Sequence, residues 1–203
     1  MTDADEESGR PRLADLRDTE TVYQPAEDSR LLAETALDHA TVGPSDWVLD
    51  VGTGSGYVGA RIQEATEARV VGIDINPEAC TQAHRAGVRA VRGDVLAPIQ
   101  SGSIGLLVCN PPYLPTPPEA EWDDWMEQAL SGGEDGRRIV NRVLADARRV
   151  LAPDGTALVL LSSLTEPGVV RARATREGFE VRVIAEESHP FERLVVLELV
   201  VSA

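Results

Sequence analysis

Glycine recurs at every second position in Gly52-Thr53-Gly54-Ser55-Gly56, and no other stretch limits the available folds so strongly. An apolar run, Trp47–Val51, leads into it, and helical spacing follows it through Ile62. A buried strand that turns through glycines into a helix brings backbone N–H groups and a helix N-terminus up to a ligand. The alternation continues downstream. Residues 70–73 read as a strand ending at Asp74, Pro77 opens a helix to about residue 86, and residues 88–91 form a third strand before Gly93-Asp94. Ile104–Cys109 is continuously apolar, as a parallel strand covered on both faces requires.

The flanks fit the same plan. A helix is expected from about Pro25, with Leu31, Leu32, Thr35, Ala36 and Ala40 at helical spacing. Another over about residues 136–151 sets Ile139, Val140, Val143, Leu144, Ala147, Val150 and Leu151 on one stripe. Pro153-Asp154-Gly155 then turns into a strand at 156–161, and a helix at 167–177 stops at Gly178. The last strands, 181–185 and 194–200, are joined by about eight residues, too few for a helical crossover. These elements predict an α/β, Rossmann-like sheet of seven mostly parallel strands, finished by a C-terminal antiparallel hairpin. Residues 1–18, charged and proline-interrupted, are expected to be a flexible acidic tail, leaving residues 19–203 as a single domain. No apolar run reaches membrane-spanning length, so a soluble, cytoplasmic protein is expected. Two cysteines, Cys80 and Cys109, are too few for a metal site, and Cys109 reads as a small core residue.

The formal charge is −15, and all 19 basic residues are arginine. Such a surface would ordinarily repel nucleic acid. A lysine-free, acidic, aromatic-poor composition also fits a salt-saturated cytoplasm, so the charge then reflects the solvent rather than the ligand.

Gly54-x-Gly56-x-x-Gly59, with Asp74 beyond it, also spells a dinucleotide fingerprint. Three features favour S-adenosyl-L-methionine instead: Asp50 just before Gly52, glycine at alternate positions, and a further strand-end acid, Asp94. Asp74 can accept from both ribose hydroxyls, Asp94 from the adenine amino group, and Asp50 from the amino-acid ammonium. The Val95 backbone can hold an adenine ring nitrogen, while Gly52, Gly54 and Gly56 admit the cofactor.

Asn110-Pro111-Pro112-Tyr113 follows the fourth strand, at the edge where open α/β sheets bind ligands. The two prolines fix the Asn110 side chain and the Pro111 carbonyl in one relative geometry. Both are acceptors, and a planar amide or amine nitrogen offers two N–H donors. Engaging both turns the nitrogen lone pair toward a methyl sulfonium, with Tyr113 as a flat face for stacking. The pattern therefore points to methylation of a planar nitrogen.

At this level the chain resembles the HemK family of protein-glutamine N5-methyltransferases, and most closely its short archaeal and eukaryotic branch. The resemblance spans about residues 22–142. It rests on Val22-Tyr23-Gln24-Pro25-Ala26-Glu27-Asp28-Ser29, Leu49 to Gly56, Gly72-Ile73-Asp74-Ile75-Asn76-Pro77, Asn110 to Tyr113, and Ser131-Gly132-Gly133-Glu134-Asp135-Gly136-Arg137. Gln24 departs from the family, which commonly has glutamate there. The resemblance implies methylation of the Gly-Gly-Gln glutamine of a class I translation release factor. It implies Ser29 and Asn110 among the cofactor residues, and Asn110 to Leu114, including Pro112, against the substrate. It also implies a small zinc-binding activator protein that adds a strand at the sheet edge of residues 88–91, between Val88 and Val91. Bacterial members carry an extra N-terminal domain, for which the position of Tyr23 is expected to leave no room.

Two other chemistries remain open from the residues. An adenine-N6 methyltransferase would need a target-recognition region and a basic track, whereas arginines cluster only at Arg148-Arg149 and Arg171/Arg173. An NAD-dependent oxidoreductase has no use for Asn-Pro-Pro-Tyr. A non-catalytic subunit would have no reason to keep Asn110 and Pro111.

Overall fold

The computed structural model describes residues 21–202, so the expected tail at 1–18 and the domain start at 19 lie outside the described part. Among the described residues, β1 (Trp47–Val51), β2 (Arg69–Asp74), β3 (Arg89–Arg92), β4 (Ile104–Cys109), β5 (Leu151–Ser162), β6 (Phe179–Ser188) and β7 (Arg193–Val201) form one sheet. Their order is β3-β2-β1-β4-β5-β7-β6. β1 to β5 run parallel, while β7 lies antiparallel to both β5 and β6. The helices are α1 (Glu27–His39), α2 (Tyr57–Ala65), α3 (Pro77–Arg85), α4 (Trp125–Leu130), α5 (Arg138–Val150) and α6 (Pro167–Arg176).

Successive residues of a strand point to opposite faces, and the core divides accordingly. Val48, Leu106 and Val108 join one apolar cluster with Leu32 of α1, Ile62 of α2 and Ala83 of α3. Leu49, Leu107 and Cys109 join the other, with Val140, Val143 and Leu144 of α5 and Val170 of α6. Each fully buried Val, Leu or Ile among them contributes about 1.5–3 kcal/mol of transfer free energy, which favours apolar residues on both faces of the central strands, Asp50 of β1 excepted.

The boundaries differ from expectation in a few informative places. Pro25 precedes α1 rather than opening it; Ala26 is the extended N-cap and Glu27 and Asp28 fill the acidic first turn. Pro153-Asp154-Gly155 does not end an approach to β5 but forms an irregularity within it, opposite Ile104 and Leu106. Gly155 permits this because a Cβ there would lie 2.5 Å from the Ile104 carbonyl oxygen. β6 and β7 are longer than predicted, leaving only residues 189–192 between them. β3 begins one residue late, at Arg89. Helix α4 has six residues, too short for periodicity to reveal, and starts where Asp124 accepts a bond from the Glu127 N–H at 2.7 Å.

Candidate active site

Strands β1 and β4 are neighbours, with Val51 opposite Cys109, although two strands and two helices separate them in sequence. The winding direction reverses between them, and such a switch point opens a crevice at the carboxyl ends of the strands. A cleft of about 340 Å³ lies there, walled by Gly52, Gly54, Asp74, Asp94, Asn110 and Pro111. Its size falls within the roughly 300–1,000 Å³ of small-molecule sites. Ser29, Asp50, Val95 and Pro112 also line it, whereas Gly56, Tyr113 and Leu114 do not.

The glycine turn is tied to the acids beside it. Gly54 N–H donates to Asp74 Oδ2 at 3.0 Å, and Asn76 N–H to Asp74 Oδ1 at 2.9 Å. Each oxygen keeps acceptor capacity toward the cleft. Asp50, 2% exposed, accepts from the Thr53 hydroxyl at 2.7 Å and the Gly59 N–H at 3.1 Å, all on Oδ2. Burial pushes its carboxyl up to about 6, against the lowering effect of those two bonds and with further raising by the charge of Asp74. A bound ammonium would reverse that burden by favouring the carboxylate. Gly56 has a packing role: a Cβ there would stand 2.7 Å from Ala83 Cα, so the absent side chain lets α2 approach α3.

Val95 is a β-branched residue with φ 51, a conformation such residues rarely hold. Strain of this kind persists where surrounding structure imposes it, and it is found disproportionately in ligand sites. Asp94 beside it is half exposed and accepts from Arg142 Nη2 at 2.7 Å. Arg142 itself lines the cleft from α5. Sequence reasoning missed it, since nothing in the 48-residue separation marks the pair.

Asn110 carries the most informative feature. Its Oδ1 is buried without a hydrogen-bond partner. Its Nδ2 donates to Ser29 Oγ at 3.5 Å, and that hydroxyl donates onward to Asp28 Oδ1 at 3.2 Å. The committed hydroxyl proton leaves Ser29 Oγ as an acceptor, which orients the Asn110 amide with its oxygen free. An unmade bond of this kind costs about 1–3 kcal/mol, so a donor is expected to fill it during function.

Asp28 organises the surroundings. It is 3% exposed and accepts from Ser29 N–H at 2.5 Å, Tyr23 Oη at 3.4 Å and Tyr113 Oη at 3.3 Å. Burial raises both phenols well above their usual range, and the Asp28 charge adds to this. Tyr113, expected as a stacking face, packs its ring against the core instead and reaches Asp28 with its hydroxyl. The motif at residues 22–29 held Asp28 in plain view, but no sequence rule assigned it this role.

Two further segments shape the site. The Asn76 side chain donates to the Thr21 carbonyl at 2.7 Å, pinning Thr21, Val22 and Tyr23 as one wall of the cleft. The 131–137 turn braces the loop after β4: Gly132 N–H donates to the Leu114 carbonyl and Thr116 N–H to the Gly133 carbonyl, both at 2.9 Å. Gly136 is needed there, since a Cβ would fall 2.5 Å from the Tyr113 carbonyl oxygen. Trp125 joins the cleft wall from α4, while Trp122 is 65% exposed. His39, His84 and His189 do not line the cleft.

Residues 48–131 match a family model described as a methyltransferase domain. A Methanocaldococcus jannaschii protein described as a candidate protein N5-glutamine methyltransferase is 32% identical over 182 residues, covering 87% of this chain and 90% of that protein. The methyltransferase HEMK2 of Mus musculus is 39% identical over 147 residues, covering 66% of this chain and 68% of its own length. Among solved structures, a chain of the E. cuniculi Mtq2–Trm112 complex matches with a TM-score of 0.75 and 27% identity. The match covers 90% of this chain and all of that one, and the complex is described as responsible for methylating the translation termination factor eRF1.

Proposed function

Because the chain belongs to the HemK family of protein-glutamine N5-methyltransferases, we propose that it methylates the glutamine of the Gly-Gly-Gln tip of a class I release factor. The buried, unpartnered Oδ1 of Asn110, a residue that lines the cleft beside the expected cofactor residues, is the observation that carries this reading.

S-adenosyl-L-methionine supplies a methyl group on a sulfonium sulfur, which takes back the electron pair of the carbon–sulfur bond as it breaks. Asp74 would accept the ribose hydroxyls, Asp94 and the Val95 backbone the adenine edge, and Asp50 the ammonium. Ser29 holds Asn110 in the orientation the reaction needs. Asn110 Oδ1 and the Pro111 carbonyl accept the two N–H bonds of the glutamine amide and aim its nitrogen at the methyl carbon. As that nitrogen forms its new bond it becomes more acidic, and the two acceptors stabilise the developing positive charge until one proton leaves to water. A carboxamide lone pair is conjugated, so this positioning must supply much of the rate.

The activator reading finds support at β3, a sheet edge on which Val91 is 46% exposed. An unpaired sheet edge is suited to β-augmentation, so a heterodimer with a small zinc-binding activator is part of the proposal. The lysine-free acidic surface supports a halophilic cytoplasmic setting. Among the described residues no helix is long and apolar enough to cross a membrane.

The test incubates the protein, with and without its activator, in high salt with labelled cofactor and either the release factor, RNA or duplex DNA. Label on the factor supports the proposal. Label on nucleic acid with none on the factor would favour the adenine-N6 reading and overturn it. Paired arginines argue against that rival: Arg149 is bound to Asp146 at 2.6 Å and Arg173 to Glu177 at 3.2 Å.

A further inference from the structure

At the carboxyl edge of the sheet, three loops present apolar side chains to solvent. Leu114 follows β4, Leu164 follows β5, and Phe191 sits in the turn between β6 and β7; they are 38%, 43% and 96% exposed. Ser162 of β5 lies opposite Leu194 of β7, so the latter two loops meet at one end of the sheet. The Arg193 N–H donates to Ser163 Oγ at 3.1 Å and ties them together. The third loop joins through Gly136, where a Cβ would meet both the Tyr113 carbonyl oxygen at 2.5 Å and Thr165 Cγ2 at 3.3 Å. Aromatic residues make up only 4% of the chain, so a phenylalanine left 96% exposed here is not a surplus of apolar residues.

We propose that Leu114, Leu164 and Phe191 form a docking rim for the polypeptide that carries the target glutamine, gripping residues that flank it. The proposal rests on the glutamine-methylation reading and assigns the rim beyond Asn110 and Pro111.

Two observations select a polypeptide as the occupant. Glu192, next to Phe191, has a buried carboxylate oxygen, Oε2, without a partner, and its charge helps raise the phenols of Tyr23 and Tyr113. Glu192 shares the short turn between β6 and β7 with Phe191, so the orphan acceptor lies at the rim itself. It calls for an N–H donor, which peptide backbone has in quantity and phosphate lacks. The nearby cations are already matched: Arg137 with Glu166 at 3.0 Å, Arg193 with Glu186 and Arg30 with Glu187, both at 3.3 Å. A nucleic-acid backbone would find carboxylates and paired arginines. The activator would sit at β3, at the opposite edge of the sheet from β6.

The experiment compares Phe191→Ala, Leu164→Ala and Phe191→Leu with wild type, each with activator, on the folded release factor and on a tripeptide Gly-Gly-Gln. The rim predicts a KM for the folded factor raised roughly tenfold by Phe191→Ala, the size of losing one buried aromatic contact, with partial recovery in Phe191→Leu. Turnover on the tripeptide and the melting temperature stay at wild-type values. An unchanged KM, an equal loss on the tripeptide, or a loss of activator binding would each overturn the rim. If wild type itself leaves the glutamine unmethylated, the functional reading fails rather than the rim.

Discussion

Asn110 bears on the chemistry most directly because its two amide atoms have different fates. Nδ2 is spent on Ser29, while Oδ1 is buried and unmatched. Asn110→Ala is therefore expected to lower kcat by about 10²–10³-fold, the cost of removing one preorganised charge-stabilising group. Calorimetry should find cofactor affinity almost unchanged; equal loss of both would make Asn110 chiefly a cofactor ligand. Asp50 gives a pH signature. Its carboxyl, raised to about 6 by burial, stands above an unfolded value of about 3.9. The folded state then holds the proton more tightly, so this contribution to stability is fully present below about pH 4 and lost as pH rises through about 6. Urea midpoints against pH should show that fall in the cofactor-free protein, and less of it with S-adenosylmethionine bound or in Asp50→Asn, where the Asp74 carboxyl, also raised by burial, remains. A fall of equal size in Asp50→Asn would place its origin elsewhere. Asn110 and Asp50 were legible in the sequence because each stands at the carboxyl end of an apolar run beside a motif. Asp28 was not, because its role depends on Tyr23 and Tyr113 converging from 5 and 85 residues away.

At the scale of elements, the glycine turn serves two purposes that sequence spacing merges. Gly54 gives its N–H to Asp74, whereas Gly56 adopts φ 84 and faces Ala83 of α3. Gly56→Ala should then destabilise the fold by about 2–4 kcal/mol, combining left-handed strain with overpacking. Ala83→Gly, which removes the Cβ at 3.0 Å but keeps the Cα at 2.7 Å, should recover little of this loss in denaturant titrations; full recovery would place the clash at the Ala83 side chain alone. Alternation of strand and helix was readable because buried parallel strands must be apolar on both faces. The 131–137 turn was readable as a family segment and as a loop, but not as a brace. Its function, holding Leu114 and Thr116 by backbone bonds, leaves no trace in side-chain pattern. Helix α4 was missed for a related reason, since six residues complete fewer than two turns.

For the whole molecule, the acidic surface and the reaction make separate demands. A net charge of −15 repels itself over the Debye length, about 10 Å at 0.1 M salt and 3 Å at 1 M. The melting temperature should therefore climb steeply as KCl rises into the molar range; a flat profile would remove the halophilic reading and leave the site intact. The sheet has two edges, β3 and β6, and the cleft opens between them over the β1–β4 switch point. An activator on one side and a protein substrate on the other can thus be held at once. In the proposed reaction the methyl group ends on a glutamine side chain. Fragment mass spectrometry of the release factor, after incubation with the enzyme, activator and S-adenosyl-L-methionine, addresses this most directly. The expected product carries one added methyl on the side-chain nitrogen of the Gly-Gly-Gln glutamine, absent when Asn110→Ala replaces wild type. A methyl on another residue, or an unmodified factor beside methylated nucleic acid, would contradict it.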